Sequence, residues 1–381
     1  MASGKTALLA CDMLPQLVAA LRRQGYRVIS SALREGDLAL AEIADAAELH
    51  RASSTARRRG PSGWRPTARP GSGPGPGNTP GSGFFYPRRK SCGRPGARAG
   101  ASVSPLRSPT SPVMPSWVRP CDLNALAVLD KVLLGGLHHD PAYRARREQV
   151  FIVAVQCVGR ECGTGFCESV GGGPRATSGF DLALTEVEDY ASPYLAVEVG
   201  SSRGAEIMSA IPHKLAGPPE LAATARQLTD LSPRLGRTLD THNLKELLYS
   251  STDHPHWDDV AGRCLNCGNC TAVCPTCFCY TLEDRVDLSG TETTRVRRAD
   301  ACYTVDFSYI HGGAIRPSAN SRYRQWLTHK LAAWQDQFGS LGCVGCGRCI
   351  TWCPAGIDLT YEVRALREAP GAPQEASHGD H

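Results

Sequence analysis

Long apolar stretches are absent from this sequence of 381 residues. No run of 18 apolar residues occurs, so we expect no helix that spans a membrane. No signal peptide opens the sequence, and we therefore expect a cytoplasmic protein. The chain shows no Ser/His/Asp arrangement and no dinucleotide-binding glycine fingerprint, and Ser3-Gly4-Lys5-Thr6 lacks the upstream glycine and strand of a P-loop. Hydrolytic and nucleotide-dependent activities are therefore not indicated.

Acidic residues are missing from Leu49 through Cys121. Residues 50–117 are instead rich in Arg, Pro, Gly and Ser, a composition that cannot bury enough apolar surface to fold. Three interpretations stay open: a disordered linker, an out-of-frame translation in a GC-rich gene, and an arm that binds nucleic acid. The formal net charge of +5 depends on this segment, because the rest of the chain is acidic.

Cysteine is abundant, with 17 residues, and two runs near the C-terminus share one spacing. Both read C-x2-C-x2-C-x3-C-P, the spacing of bacterial ferredoxins that hold [4Fe–4S] clusters. In two-cluster ferredoxins the fourth cysteine of a run binds the other cluster. We therefore assign Cys264, Cys267, Cys270 and Cys353 to cluster 1, and Cys343, Cys346, Cys349 and Cys274 to cluster 2.

Zinc is the alternative for these runs, because C-x2-C pairs also build four-ligand zinc sites. Each run, however, carries a third cysteine and a fourth that precedes a proline, Pro275 or Pro354. Disulfides are less favoured, since so many cysteines without a signal peptide indicate a reducing compartment with metal chemistry.

A looser group of cysteines predicts a candidate third cluster. Its members are Cys121, Cys157, Cys162 and Cys167. Cys121 precedes a predicted helix and Cys157 ends a predicted strand, and ligand sites gather at such sheet edges in α/β domains. The alternative is a set of buried thiols without a ligand role. Cys277, Cys279 and Cys302 are further thiols to which we assign no ligand role.

Periodicity predicts an α/β N-terminal and middle region, followed by a mainly helical two-[4Fe–4S] ferredoxin-type module. The predicted helices are Cys11–Leu21, Leu123–Leu133 with Asp122 as N-cap, Ala142–Gln149, Gly204–Ile211 and an aromatic helix over Arg322–Phe338 that Gly339 ends. The predicted strands are Tyr26–Ile29, Val150–Gln156, Leu182–Val187 and Tyr194–Val199.

These elements divide the chain into five parts. They are an N-terminal α/β element (1–49), the low-complexity segment (50–117), an α/β region with the candidate third cluster (118–218), the dicluster module (219–367) and a disordered tail (368–381).

Several stretches resemble one family of [4Fe–4S] dicluster proteins. They are Val118-Arg-Pro-Cys-Asp-Leu, Cys274-Pro-Thr-Cys-Phe-Cys, Asp306-Phe-Ser-Tyr-Ile-His-Gly-Gly and the two cysteine runs. The family includes the beta subunit of cytoplasmic nickel–iron sulfhydrogenases and the A subunit of anaerobic sulfite reductases. The resemblance covers residues 118–367, is weaker over 1–48, and does not extend to 50–117.

The resemblance implies an electron-transfer subunit of an oxidoreductase complex. Its partners would be a flavin/NAD(P)-binding subunit and a hydrogenase- or sulfite-reductase-type catalytic subunit, with neither a membrane nor nucleic acid expected. One alternative is that the chain itself reduces a small sulfur substrate with Cys277, Cys279 and Cys302 as reactive thiols. Another is a zinc-stabilised interaction module. We interpret His311 as a loop residue.

Overall fold

The computed structural model describes residues 5–34, 37–48, 89–93, 113–158, 162–187, 193–229, 235–288 and 293–368. They form a mixed α/β structure, with a large sheet in the N-terminal and middle region and helices around the C-terminal cysteine runs. Within these ranges, no helix has both the length and the apolar character needed to cross a membrane.

The large sheet has the strand order β3-β2-β5-β6-β7-β8-β1-β9. The strands of the first half are β1 (Thr6–Ala10), β2 (Arg27–Arg34), β3 (Asp37–Glu42), β4 (Arg89–Gly93), β5 (Val113–Val118), β6 (Val153–Val155), β7 (Leu182–Val187), β8 (Tyr194–Val199) and β9 (Lys214–Leu215). Strands β2, β5, β6 and β7 run parallel, and the outer neighbours pair antiparallel. The carboxyl ends of β5 and β6 therefore meet at one edge, just before Cys121 and Cys157.

The central strands are covered on both faces. Val153, Leu182 and Leu184 belong to one apolar core, whereas the alternate residues Ala154 and Ala183 belong to another. Successive side chains of a strand point to opposite faces, so a strand between two cores reads as a continuous apolar run. The predicted strands Leu182–Val187 and Tyr194–Val199 are confirmed.

Helices pack on both sides of this sheet. They are α1 (Leu14–Arg23), α2 (Pro120–Leu133), α3 (Pro141–Gln149), α4 (Ser202–Ser209) and α5 (Pro218–Thr229). The buried apolar residues of α1 and α4 join the first core, and the buried leucines of α2 join the second together with Tyr143 of α3. The other face of α2, with Cys121, Ala125 and Val128, packs in a smaller cluster with Trp334 and Val344. Short 3-10 turns cover Cys11–Met13, Ala46–Glu48, Glu168–Val170 and Val305–Ser308.

The predicted N-cap of α2 is wrong. The helix begins at Pro120 with Arg119 as its N-cap residue, and Asp122 lies inside the first turn. Proline suits the first helical turn because its missing N–H has no intrahelical partner there. Asp122 is therefore available for a different contact. In α3, by contrast, the Asp140 carboxylate accepts hydrogen bonds from the N–H groups of Ala142 and Tyr143, as an N-cap does.

The C-terminal region contains strands as well as helices, so a mainly helical module is not confirmed. Its elements are α6 (Leu244–Ser250), α7 (His256–Arg263), α8 (Asn269–Ala272), β10 (Tyr280–Val286), β11 (Thr293–Ala299), β12 (Tyr309–Ile310), β13 (Gly313–Ala314), α9 (Ala319–Thr328), α10 (Trp334–Phe338), α11 (Arg348–Thr351) and α12 (Leu359–Arg367). Strands β10 and β11 pair antiparallel, and β11 also pairs with β4.

The predicted aromatic helix is found in three pieces. Helix α9 passes into a π-helical turn over His329–Ala333 and then into α10. Gly339 ends α10 with a left-handed backbone (φ 65°), as expected of a helix C-terminus. Within 50–117 the described residues are strands β4 and β5, and the remainder of that range lies outside the described residues, as do 369–381.

Candidate metal centres

One cavity brings together the four cysteines assigned to cluster 1. Its wall contains Cys264, Cys267, Cys270 and Cys353, and Cys349 also borders it. Burial raises the pKa of the Cys270 thiol well above its usual value, and the thiols of Cys302, Cys264, Cys267 and Cys353 add to this effect. Residues from both runs thus surround one space.

Local backbone turns point these thiols inward. Gly268, with φ 71°, begins α8, and Asn266 also has a positive φ of 52°. The N–H groups of Asn266 and Ile357 lie 3.4 and 3.3 Å from the sulfurs of Cys264 and Cys353. Backbone N–H groups aimed at ligand sulfurs are the kind of surrounding contact that orients and tunes a cluster.

The remainder of the cavity fits a sulfur-rich group. Tyr323 Oη and Trp326 Nε1 are buried, and among the described residues neither has a hydrogen-bond partner. Both side chains line the cavity. A buried donor without an acceptor costs about 1–3 kcal/mol, and sulfide or thiolate sulfur of a [4Fe–4S] cluster would supply the acceptor. The donor set therefore fits this cofactor.

The cysteines assigned to cluster 2 also lie together. Burial raises the pKa of the Cys349 thiol well above its usual value, with further contributions from Cys346, Cys343, Cys274 and Cys270. Cys274 comes from the first run and the other cluster 2 cysteines come from the second. The second run repeats the local design of the first, since Gly347 (φ 68°) begins α11 and the Gly345 N–H lies 3.4 Å from the Cys343 sulfur.

The candidate third group gathers around Arg119. Burial disfavours the charged form of this guanidinium, yet the neighbouring sulfurs of Cys162, Cys157 and Cys121 outweigh that effect and raise its pKa. Burial raises the pKa of the Cys167 thiol to about 11, and Cys162 adds to the rise. The Nη1 atom of Arg119 is buried and, in the described part of the chain, has no hydrogen-bond partner. A donor beside three of the four thiols fits a cluster here as well.

The third group packs directly against the second run. A Cβ added to Gly345 would lie 2.5 Å from Cys167 Cα, and one added to Gly347 would lie 2.1 Å from the Thr164 carbonyl oxygen. The Phe166 N–H donates a 2.8 Å hydrogen bond to the Gly345 carbonyl. Only glycine permits backbones to approach this closely, so the two cysteine loops form one packed unit.

A buried ion pair ties the same two regions together. Arg348, between two cysteines of the second run, donates through Nη2 to Asp122 Oδ2 at 2.9 Å, and its Nη1 lies 2.7 Å from Oδ1. Sequence reasoning missed this pair and treated Asp122 as a helix cap. An arginine embedded in a cysteine run was the available signal, since a buried guanidinium requires an anionic partner.

Three further cysteines border these groups. Cys274 lies beside Cys277 and raises the pKa of the Cys277 thiol, and Cys279 raises the pKa of Cys302, whose thiol in turn raises that of Cys270. His311 is exposed between β12 and β13. Within the described ranges, no three His, Cys, Asp or Glu side chains converge tightly enough to hold one metal ion.

Comparisons with known proteins support a [4Fe–4S] dicluster domain in this chain. A family model described as a 4Fe-4S dicluster domain matches residues 263–357, which contain both cysteine runs. Sulfhydrogenase 2 subunit beta of Pyrococcus furiosus is 33% identical over 257 residues, which cover 66% of this chain and 73% of that protein. No solved structure matches the chain.

Proposed function

The chain belongs to the family of 4Fe-4S dicluster proteins that contains the sulfhydrogenase beta subunit, and from this premise we propose that it relays electrons through two [4Fe–4S] clusters. It is the electron-transfer subunit of a multi-subunit oxidoreductase. We assign its partners as a flavin/NAD(P)-binding subunit and a hydrogenase- or sulfite-reductase-type catalytic subunit, in the cytoplasm.

The observation that carries this proposal is the cavity shared by the two runs. Cys264, Cys267 and Cys270 face it together with Cys353, which lies 83 or more residues further along the chain. Cys349, assigned to cluster 2, borders the same cavity. Two clusters held in this way are neighbours, and neighbouring redox centres suit a relay rather than a site of bond chemistry.

Each bound cluster would supply one-electron transfer. The chain contributes the thiolates, excludes water and supplies hydrogen-bond donors. Cluster 1 is enclosed by Tyr303, Tyr323 and Trp326 as well as its cysteines. For cluster 2, the ligand Cys343 receives the Gly345 N–H. Such donors and the surrounding apolar groups set the reduction potential of an iron–sulfur cluster.

We also assign a third [4Fe–4S] cluster to Cys121, Cys157, Cys162 and Cys167. The parallel pairing of β5 and β6 supports this assignment, because it carries Cys121 and Cys157 to the same sheet edge. Arg119 supports it too, since a buried guanidinium beside thiols is stabilised by the negative charge of a cluster. Through Gly345 and Cys167 this group adjoins cluster 2, which extends the relay to three centres.

Iron and acid-labile sulfide analysis of anaerobically purified protein tests the cofactor assignment. Three clusters require about twelve irons per chain and two require about eight. Cys267→Ser and Cys162→Ser each remove a ligand, so each is expected to lose about four irons. Cys11→Ser, a change in the N-terminal part of the sheet domain, is the matched control and retains all of them. Zinc in place of iron would overturn the proposal.

Reconstitution with partner subunits tests the role. We expect the isolated chain, reduced by dithionite, to show the EPR signals of spin-coupled clusters without reducing sulfite or a disulfide. Turnover by the chain alone would instead favour reactive thiols. Burial raises the pKa of Cys279 and raises that of Cys302 to about 12, which keeps both in the less reactive thiol form.

A further inference from the structure

A single lysine lies buried beside the cysteines of cluster 2. Lys330 occupies the π-helical turn between α9 and α10, and only 6% of it is exposed. Its ammonium donates to Cys274 Sγ at 3.2 Å, to Thr276 Oγ1 at 3.0 Å and to the Gly342 carbonyl oxygen at 3.2 Å. Cys277 Sγ is 3.7 Å away. All three protons of the ammonium are therefore directed at defined acceptors.

The environment of Lys330 offers sulfur as its negative partner. No ion pair joins it to a carboxylate among the described residues, and the other two acceptors are neutral oxygens. A buried ammonium is stable only when an anion compensates it.

The π-helical turn explains how the ammonium reaches this place. A π-turn inserts one residue into a helix and redirects the side chains of that turn, and such turns are frequent at functional sites. Thr276 and Gly342, two acceptors of the Lys330 ammonium, are held together because the Thr276 hydroxyl donates to the Gly342 carbonyl oxygen at 2.8 Å. Lys330 is thus held by both cysteine runs, one through Cys274 and Thr276 and the other through Gly342.

The two cluster sites differ in charge. Tyr323 and Trp326, the side-chain donors identified beside cluster 1, are neutral, whereas Lys330 places a full positive charge against a ligand of cluster 2. Arg348 also lies near cluster 2, but Asp122 balances its charge. Reduction adds one negative charge to a cluster, and a nearby buried cation stabilises that charge.

We propose that the positive charge of Lys330 raises the reduction potential of cluster 2 above that of cluster 1. This inference rests on the proposed function. The cluster with the higher potential is reduced first, so an electron that enters the chain reduces cluster 2, which adjoins the third cysteine group. No bond forms or breaks, and a single electron passes from one centre to the other.

Lys330→Met and Lys330→Gln test the inference by EPR-monitored redox titration of the purified full chain. Met removes the charge at nearly the same length, and Gln keeps a hydrogen-bond donor without the charge. In both we expect the ratio of reduced to oxidised cluster 2 at a fixed potential to fall about tenfold or more, a shift of about 59 mV to lower potential for one electron. Cys274→Ser identifies the signal that belongs to cluster 2.

The matched control is Lys245→Met, which removes the same charge from a surface pair with Asp336 and should leave both potentials unchanged. The iron content per chain distinguishes failure of the proposed function from failure of the inference about Lys330. A wild-type protein without iron refutes the proposed function itself. With iron intact, an unchanged cluster 2 potential in both Lys330 variants overturns the inference. Loss of iron from both also overturns it, because Lys330 would then serve assembly rather than potential.

Discussion

Replacement of Asp122 by alanine is expected to destabilise the protein strongly. The change leaves the Arg348 guanidinium buried between two cysteines without its bidentate partner, at contacts that are now 2.7 and 2.9 Å. Both side chains are 10% exposed, so water cannot replace the lost carboxylate. The same pair connects the first turn of α2 with α11, and its loss loosens the contact between the third cysteine group and the second run.

The magnitude follows from burial. Removal of one partner from a buried ion pair costs about 3–5 kcal/mol. Each 1.36 kcal/mol is a factor of about ten, so the lower bound corresponds to an unfolding rate raised about 150-fold when the loss falls on unfolding. Asp122→Ala combined with Arg348→Met removes both charges, and this double variant should recover part of the loss, because an apolar pair can replace a buried ion pair.

The assay is the anaerobic loss of the iron–sulfur absorbance in guanidinium, followed over time. Arg144→Ala is the control, since the Arg144–Glu148 pair is more than half exposed on both sides and contributes only about 0.3–0.5 kcal/mol. A rate for Asp122→Ala within threefold of wild type would refute the reasoning. A double variant as unstable as the single one would show that the unpaired guanidinium is not the cause.

Three further outcomes follow from the same structure. Tyr323→Phe and Trp326→Phe each remove a hydrogen-bond donor from the cluster 1 cavity. Each should lower the reduction potential of cluster 1 in a redox titration, with the iron content unchanged. A raised potential would contradict this. Gly347→Ala places a Cβ 2.1 Å from the Thr164 carbonyl oxygen and should lose about four irons per chain, whereas Gly262→Ala, with nothing within 4 Å, should lose none. Gln156→Leu removes two hydrogen bonds with the Ala176 backbone and should lower the free energy of unfolding by about 2–4 kcal/mol; a loss below 0.5 kcal/mol would show that water replaces them.

Local sequence patterns predicted what depends on neighbouring residues. The alternation over Leu182–Val187 gave the bounds of β7, and the C-x2-C-x2-C-x3-C-P spacing singled out cysteines that line the first cavity. The start of α2 was also encoded locally, in Pro120, which the prediction of Asp122 as N-cap did not take into account. A proline two residues before the aspartate places the aspartate inside the helix, because proline is favoured in the first helical turn.

Local sequence patterns could not predict contacts between residues that are far apart in the chain. Lys330 and Cys274 are 56 residues apart, and Arg348 and Asp122 are 226 apart. A charged residue within a helix ordinarily faces solvent, so its pattern alone does not show that the tertiary fold buries it. The π-helical turn that carries Lys330 was likewise hidden, because one inserted residue hardly changes the spacing of the aromatic side chains around it.

The crossed assignment proposed for the two cysteine runs has a consequence for biosynthesis. In that assignment Cys264, Cys267 and Cys270 leave the ribosome well before Cys353, the fourth ligand of cluster 1, and Cys274 leaves it before the second run. Contacts between residues so far apart in sequence form slowly, so both ligand sets stay incomplete during much of translation. We expect cluster insertion to be a late, post-translational event that locks the chain, and a chain stopped before Cys343 to retain neither centre.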